Sequence, residues 1–327
     1  MYQELYHTLN QIGWVKTGIM LNGKKKGSRC MKGENRWLMD GEEWTPYLEL
    51  LDQTEETKVI RAGELEIFVE IFISHPWLIV LGGGHVSCPV VKIGKMLGFH
   101  VIVMDDREEF LTEERFPDAD LRIKGSFEEL SEKIPPYQNA YYVVVTRGHR
   151  GDSICAQQIL GRPYTYLGMI GSKTKVRLCR EKLLKEGFTQ KQLDTIHAPI
   201  GLPIGGQLPE EIAVSIMAEI VQVKNQNYTA FVDEKISSEI LNGKHGVMVT
   251  IAKKSGSSPR GIGSKMFLED DKTLFGSIGG GSVEFEAMKQ AEELDDFLVK
   301  TYDLSIGDQQ NLGMICGGKV EVFFERV

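Results

Sequence analysis

An apolar run rich in β-branched residues, Trp77-Leu-Ile-Val-Leu81, ends on three glycines, Gly82-Gly83-Gly84, and passes through His85-Val86 into helical sequence. A parallel strand that feeds a helix across a ligand's phosphates is built this way. The first glycine permits a tight turn, and the next remove the Cβ that would block a pyrophosphate. The helix N-terminus then offers unpaired N–H groups and the positive end of its dipole. A second strand follows at the expected distance, Phe99 to Met104, and ends in Asp105-Asp106, where a carboxylate can accept ribose hydroxyls. One position departs from the fingerprint: Ser87 stands where the third glycine belongs. Gly82, Gly84, His85, Asp105 and Asp106 are therefore expected to contact a nucleotide-like ligand.

The sequence around this motif alternates strand and helix. Tyr141 to Thr146 reads as a buried strand, Tyr164 to Gly168 as extended, and Lys173 to Glu186 as a helix stopped by Gly187. Pro209-Glu-Glu opens a further helix, with proline and acids in its first turn. Such alternation implies a parallel sheet with both faces covered. A polar linker near Lys224–Tyr228 marks a change of character. Beyond it come short strands (Val247 to Ala252, Lys265 to Leu268, Thr273 to Ile278), a second glycine triplet at Gly279-Gly280-Gly281 that opens a helix, and a last strand that ends near Glu325.

At 327 residues the chain fits two or three domains. A formal charge of −8, with acids and bases intermixed, argues against nonspecific nucleic-acid binding. The five cysteines are scattered without a CxxC, so neither a zinc knuckle nor a disulfide framework is indicated, and a reducing cytoplasm is the expected compartment. The N-terminus has no basic region followed by an apolar core, unlike a signal peptide. The charge-free run Ile71–Val91 contains His75, Pro76 and the glycine triplet, and reads as strand and turn rather than as a membrane span.

Ala62-Gly-Glu-Leu-Glu-Ile-Phe-Val-Glu70 echoes Gly317-Gly-Lys-Val-Glu-Val-Phe-Phe-Glu325, and Gly27-Ser-Arg-Cys-Met31 more faintly echoes Gly263-Ser-Lys-Met-Phe267. Residues 1–75 read as a truncated relative of the C-terminal segment that has kept the packing and lost the chemistry. That chemistry would lie in three loops. Ser255 to Ser264 supplies hydroxyls, Ser257 among them, and the Arg260 guanidinium. Gly279 to Gly281 is an anion nest or a tight turn. Cys316-Gly317-Gly318 holds a thiol beside free N–H groups, which suits either sulfur chemistry or a buried structural role. In the central part, His149 and Asp152 follow a strand and either touch a ligand or belong to a surface loop, while Ser172 and Lys173 open a basic helix able to hold a second phosphate. No cluster has metal-ligand spacing and no serine nucleophile elbow is present.

Taken together, these motifs resemble the XdhC/CoxI family, the accessory factors of xanthine dehydrogenase and related molybdenum hydroxylases. The resemblance rests on Gly82-Gly-Gly-His-Val86, Asp105-Asp-Arg107, Tyr166 to Lys173, His197-Ala-Pro-Ile-Gly-Leu202 and Pro209 to Ala213 in the central domain. In the C-terminal segment it rests on Gly256 to Arg260, Gly263 to Met266, Gly276 to Gly281 and Cys316-Gly-Gly318. It covers about residues 75 to 327. The order is unusual, because a complete copy of the domain that normally comes first follows the nucleotide-binding one. It implies a protein that binds molybdenum cofactor, assists its sulfuration together with a cysteine desulfurase, and delivers it to an apo-hydroxylase, with Cys316 near the metal. The family often has a cysteine after the glycine triplet where this chain has Ser282; if both cysteines are needed for sulfur handling, the resemblance implies a carrier only.

The expected fold is α/β. It comprises a truncated CoxI-like segment (1–75), a Rossmann-like parallel-sheet domain (76–225) and a C-terminal α+β XdhC/CoxI-type domain (226–327), with apolar faces that favour a homodimer. The competing expectation is an NAD(P)-dependent oxidoreductase. No catalytic acid/base pair accompanies the fingerprint, and the chain is too short, and too poor in cysteine sets for iron–sulfur clusters, to be a complete molybdenum hydroxylase.

Overall fold

The computed structural model describes residues 1–34, 36–226, 233–256, 260–303 and 318–327. The chain forms two compact units, Met1–Ser74 with Tyr228–Val327 in one and His75–Asn227 in the other. Residues 1–74 and the C-terminal segment thus pack as one unit.

The first helix, Tyr2–Ile12, buries Tyr2, Leu5, Tyr6 and Leu9, a stripe at helical spacing, and stops at Gly13, whose left-handed backbone returns its N–H to the Leu9 carbonyl. Five strands follow: β1 (Trp14–Met20), β2 (Arg29–Gly33), β3 (Arg36–Met39), β4 (Lys58–Ala62) and β5 (Leu65–Ile73), in the antiparallel order β3-β2-β1-β5-β4. Along β5 the side chains alternate. Ile67 and Val69 pack with Trp44 and Leu51 on one face, while Phe68 and Phe72 occupy clusters on the other.

The middle unit carries β6 (Trp77–Leu81), β7 (His100–Asp105), β8 (Leu121–Lys124), β9 (Ala140–Val144), β10 (Tyr166–Met169) and β11 (Ile196–His197). All pair in parallel, in the order β11-β10-β9-β6-β7-β8. The chain builds outward from β6 through β7 to β8, then returns to β9 and builds the other way. The switch point therefore falls between β6 and β9, where open sheets of this kind hold their ligands. β9 is buried along its whole length, as expected of a strand covered on both faces. The helices His149–Leu160 and Lys173–Lys185 cover one face, and Ser87–Met96 and Pro209–Gln226 the other.

After the helix Glu234–Leu241 come β12 (Gly246–Ser255), β13 (Lys265–Glu269), β14 (Leu274–Gly276), the helix Gly281–Glu292, β15 (Phe297–Asp303) and β16 (Lys319–Arg326). Their antiparallel order is β14-β13-β12-β16-β15, position for position that of the first sheet. The helix Gly281–Glu292 covers one face through Val283, Ala287 and Ala291. The other face meets the first sheet in two shared clusters. Met31, Phe72, Met248 and Phe267 meet in one, and Ile19, Phe68, Phe297 and Phe323 in the other. Two sheets face each other across a common core, and the helical segment 42–52 covers the outer face of the first through Trp44 and Leu51. The main difference between the halves lies in their connections: β4 and β5 join through Gly63-Glu64, whereas residues 304–318 separate β15 from β16.

Candidate functional site

At the switch point the three glycines have different duties. Gly82 has φ +111, and a Cβ there would lie 2.4 Å from the Val145 carbonyl oxygen on the neighbouring strand's exit. At Gly83 a Cβ would lie 2.6 Å from the Phe110 carbonyl oxygen. Nothing lies within 4 Å of a Cβ built on Gly84. The first two glycines serve close packing within the protein, and the third borders open space at the start of the helix. Ser87, in the place of the third fingerprint glycine, is fully buried, and its hydroxyl donates to the Gly82 carbonyl and closes the turn. His85 is exposed.

The middle peptide of the turn is held from both ends. The Gly83 N–H donates to Asp105 Oδ2 at 2.6 Å, and the Gly83 carbonyl accepts from Arg115 Nη2 at 2.9 Å. Asp105 is 1% exposed and also accepts from the Arg107 N–H, Nε and Nη2, each at 2.9 Å. Burial pushes the Asp105 carboxyl up, but the Arg107 guanidinium and the two N–H groups pull it further, to below the usual aspartate value. Its oxygens are thus committed to the protein. The expectation that Asp105 binds ribose is corrected: the residue anchors the glycine turn. Asp106 is the solvent-facing acid of the pair, with its pKa raised by partial burial and by Asp105 beside it. Asp105, Asp106, Arg107, Phe127 and Arg147 line a cavity of about 260 Å³ past the ends of β7 and β9.

The other turns on this edge are locked as well. Asp152 is buried and accepts from Thr146 Oγ1 at 2.6 Å, so it braces the β9 exit; the side chain of His149 falls outside the described part of the structure. Ser172 caps the helix Lys173–Lys185, accepting the Lys175 N–H at 3.3 Å, and Lys173 is exposed at its start.

In the C-terminal half the register pairs Ser255 with Lys319, Met266 with Gly276 and Asp303 with Lys319. The three loops singled out in the sequence therefore leave the sheet at one end. Ser257, Cys316 and Gly317 lie outside the described residues, and Arg260 is exposed. The glycine nest already holds an anion of its own. Glu284 Oε1 accepts from the Ser277 hydroxyl and from the N–H groups of Ile278, Gly279 and Gly280, at 2.6 to 3.2 Å. Burial raises the Glu284 carboxyl, and these donors lower it further, to below the ordinary glutamate value. The expectation of free donors at Gly279 and Gly280 is corrected accordingly; Gly281 has φ +65 and begins the helix.

Residues 78–220 match the model of the XdhC Rossmann domain, and residues 240–298 that of the XdhC and CoxI family. The chain belongs to the XdhC and CoxI family. It is 30% identical over 164 residues to the uncharacterized protein YqeB of Escherichia coli (strain K12), which covers 50% of this chain and 30% of that protein. It is 31% identical over 160 residues to a protein of Bacillus subtilis (strain 168) named as a probable xanthine dehydrogenase subunit, which covers 49% of this chain and 46% of that one. The alignments thus span less than half the length of these two curated relatives. A solved structure described as a xanthine dehydrogenase from Bacillus halodurans shares the fold, with a TM-score of 0.54 at 23% identity over 68% of this chain and 66% of that chain.

The XdhC Rossmann domain holds one constellation that sequence reading found only in part. Glu219, on the helix Pro209–Gln226, accepts from the Tyr166 hydroxyl at 2.6 Å and the Gly201 N–H at 2.9 Å, and lies 3.2 Å from His197 Nδ1. His197 and Tyr166 stand in the family's motifs. Glu219 carries no motif of its own, and only its place on the sheet-facing stripe of a long helix hints at it. Arg115 and Phe110, which back the glycine turn, carry no sequence signal at all. Among the described residues, no group of three or more His, Cys, Asp or Glu could hold a metal, and no helix is long and apolar enough to cross a membrane. Burial pushes the thiols of Cys30, Cys155 and Cys179 up, which suits packing rather than reactivity.

Proposed function

We propose that this chain is an accessory factor for a molybdenum hydroxylase of the xanthine dehydrogenase type. It holds molybdenum cofactor, takes part with a cysteine desulfurase in its sulfuration, and passes it to the apo-enzyme. The observation that carries this reading is the glycine turn of the XdhC Rossmann domain. Gly83 is fixed by Asp105 and Arg115, while the Gly84 side is open at the start of a ten-residue helix. That is a pre-organised seat for a phosphate.

The described residues fit the phosphate-bearing part of such a cofactor. Gly84 and His85 would border the phosphate and Asp106 a ribose hydroxyl if the cofactor is in its dinucleotide form. Ser172 and Lys173 would take a second phosphate. In the other unit, Ser257, Arg260, Cys316 and Gly317 are proposed to contact the same class of ligand. When bound, the group supplies a molybdenum centre for the recipient enzyme. The chain's own residues orient the phosphates and fix the turn that receives them.

The test is to express the protein in a host that makes the cofactor and to measure bound molybdenum and pterin on the native chain, Gly84→Val and Cys316→Ala. Stoichiometric cofactor on the native chain and its loss in Gly84→Val is the expected result. A native chain that never carries pterin would sink the reading.

Asp106 favours a second reading, an NAD(P)-linked oxidoreductase, because an exposed carboxylate past the second strand suits a ribose. Saturable NAD(P)H binding with hydride transfer to an acceptor would establish it.

A further inference from the structure

The two sheets that face each other in the first unit do more than share a strand order. Register makes their residues equivalent in pairs. Glu70 on β5 pairs with Thr17, which pairs with Met31, two residues after Arg29. Glu325 on β16 pairs with Met248, which pairs with Phe267, two residues after Lys265. Arg29 is thus the counterpart of Lys265, Glu70 of Glu325, and Phe68 of Phe323.

These counterparts are joined crosswise. Arg29 forms an ion pair with Glu325, and Lys265 forms one with Glu70, so the base of each half meets the acid of the other. Lys265, Glu70 and Glu325 are all at least nine-tenths buried. Phe68 meets Phe323, its own counterpart, edge-on at 5.4 Å between ring centroids. Farther along, Lys253 bridges Glu66 and its counterpart Glu321, at 2.5 and 2.9 Å. The leading helices of the two halves also meet, with Leu5 and Tyr6 packed against Ile236 and Ile240. A contact in which residue i meets j′, j meets i′, and the central residue meets itself is the signature of a two-fold, isologous interface.

We infer that residues 1–74 occupy the place of a second copy of residues 228–327, and that the partner for which this buried face is shaped is that second copy. The C-terminal half carries both members of the crosswise pair. Two such halves face to face would join Lys265 of each to Glu325 of the other and stack Phe323 on Phe323. The N-terminal half meets the same demands in cis and joins β4 to β5 by a two-residue turn in place of residues 304–318. The three loops of the candidate site therefore occur once per unit, and the face that would pair two copies is already filled. Any homodimer of the native chain must use another surface. This inference stands independently of the cofactor reading.

The test uses the whole chain and light-scattering mass. In Arg29→Glu/Glu70→Arg the two pairs become like-charged in cis. Two chains can satisfy all charges by pairing C-terminal half with C-terminal half and N-terminal half with N-terminal half. The expected result is a species of twice the native mass, with native circular dichroism. Adding Lys265→Glu/Glu325→Arg restores opposite charges in cis and should return the native mass. A folded double variant of native mass, or a fourfold variant that stays doubled, overturns the inference. Should the reversal prevent folding, Glu70→Gln is read in the same way: self-association that rises with concentration above that of the native chain supports the inference, and an unchanged mass at every concentration overturns it.

Discussion

Gly82 and Gly84 lie two positions apart in one turn and answer to different demands. Gly82→Ala would force a Cβ into the Val145 carbonyl at a left-handed φ, and should cost on the order of 3 kcal/mol in urea unfolding. Gly84→Ala meets nothing and should change stability by less than about 0.5 kcal/mol, while weakening whatever binds beside it, as ligand titration would show. Asp105→Asn loses charge-assisted bonds to Arg107 and should cost about 1.5–3 kcal/mol. The fingerprint was legible because glycine spacing records backbone geometry directly. The role of Asp105 was not, because a carboxylate after a second strand looks the same in sequence whether it faces a ribose or the turn behind it. Ser87 shows the converse. A departure from the motif turns out to be a hydroxyl that closes the turn from within.

At the scale of elements, two carboxylates hold loops against helices. Glu284 fills the Gly279–Gly280 nest, and Glu219 ties the segment around His197 and Gly201 to the last helix of the parallel sheet. Both carboxyls sit below the ordinary glutamate value, because donors outweigh burial. A carboxyl lowered on folding contributes stability that is fully present above its unfolded pKa and is lost as pH falls through its folded one. Thermal stability should therefore drop below about pH 4, and Glu284→Gln should flatten that drop while lowering the plateau at neutral pH; a melting series across pH checks both. The strands of the parallel sheet were readable from their unbroken apolar runs. Their order was not, since a return from β8 to β9 leaves no mark in composition. The strands of the N-terminal half were legible only through the echo of β5 in β16. Their alternate residues serve two different cores, so that acids such as Glu70 fall on a buried face and blur the apolar pattern.

For the whole molecule, the crosswise ion pairs decide how the two sheets meet. Lys265→Met alone strands Glu70 in the core and should cost about 3–5 kcal/mol. Lys265→Met with Glu70→Met should come within about 1 kcal/mol of the native chain, or exceed it, because a buried pair contributes little beyond the cost of breaking it. Denaturant midpoints of the three chains decide this. Such pairing was out of reach of sequence reading, since it joins positions 195 residues apart whose only clue was a short echo.

The first unit is begun early and completed late. Residues 75–227 separate its two halves, and a ribosome working at about 5–20 residues per second needs on the order of ten to thirty seconds to pass them. Through that interval the strand that carries Phe68 and Glu70 has emerged, and the sheet that will cover it has not been made. The nascent chain must either be shielded there or find a neighbour on the same message, and a wrong neighbour would be another copy of itself.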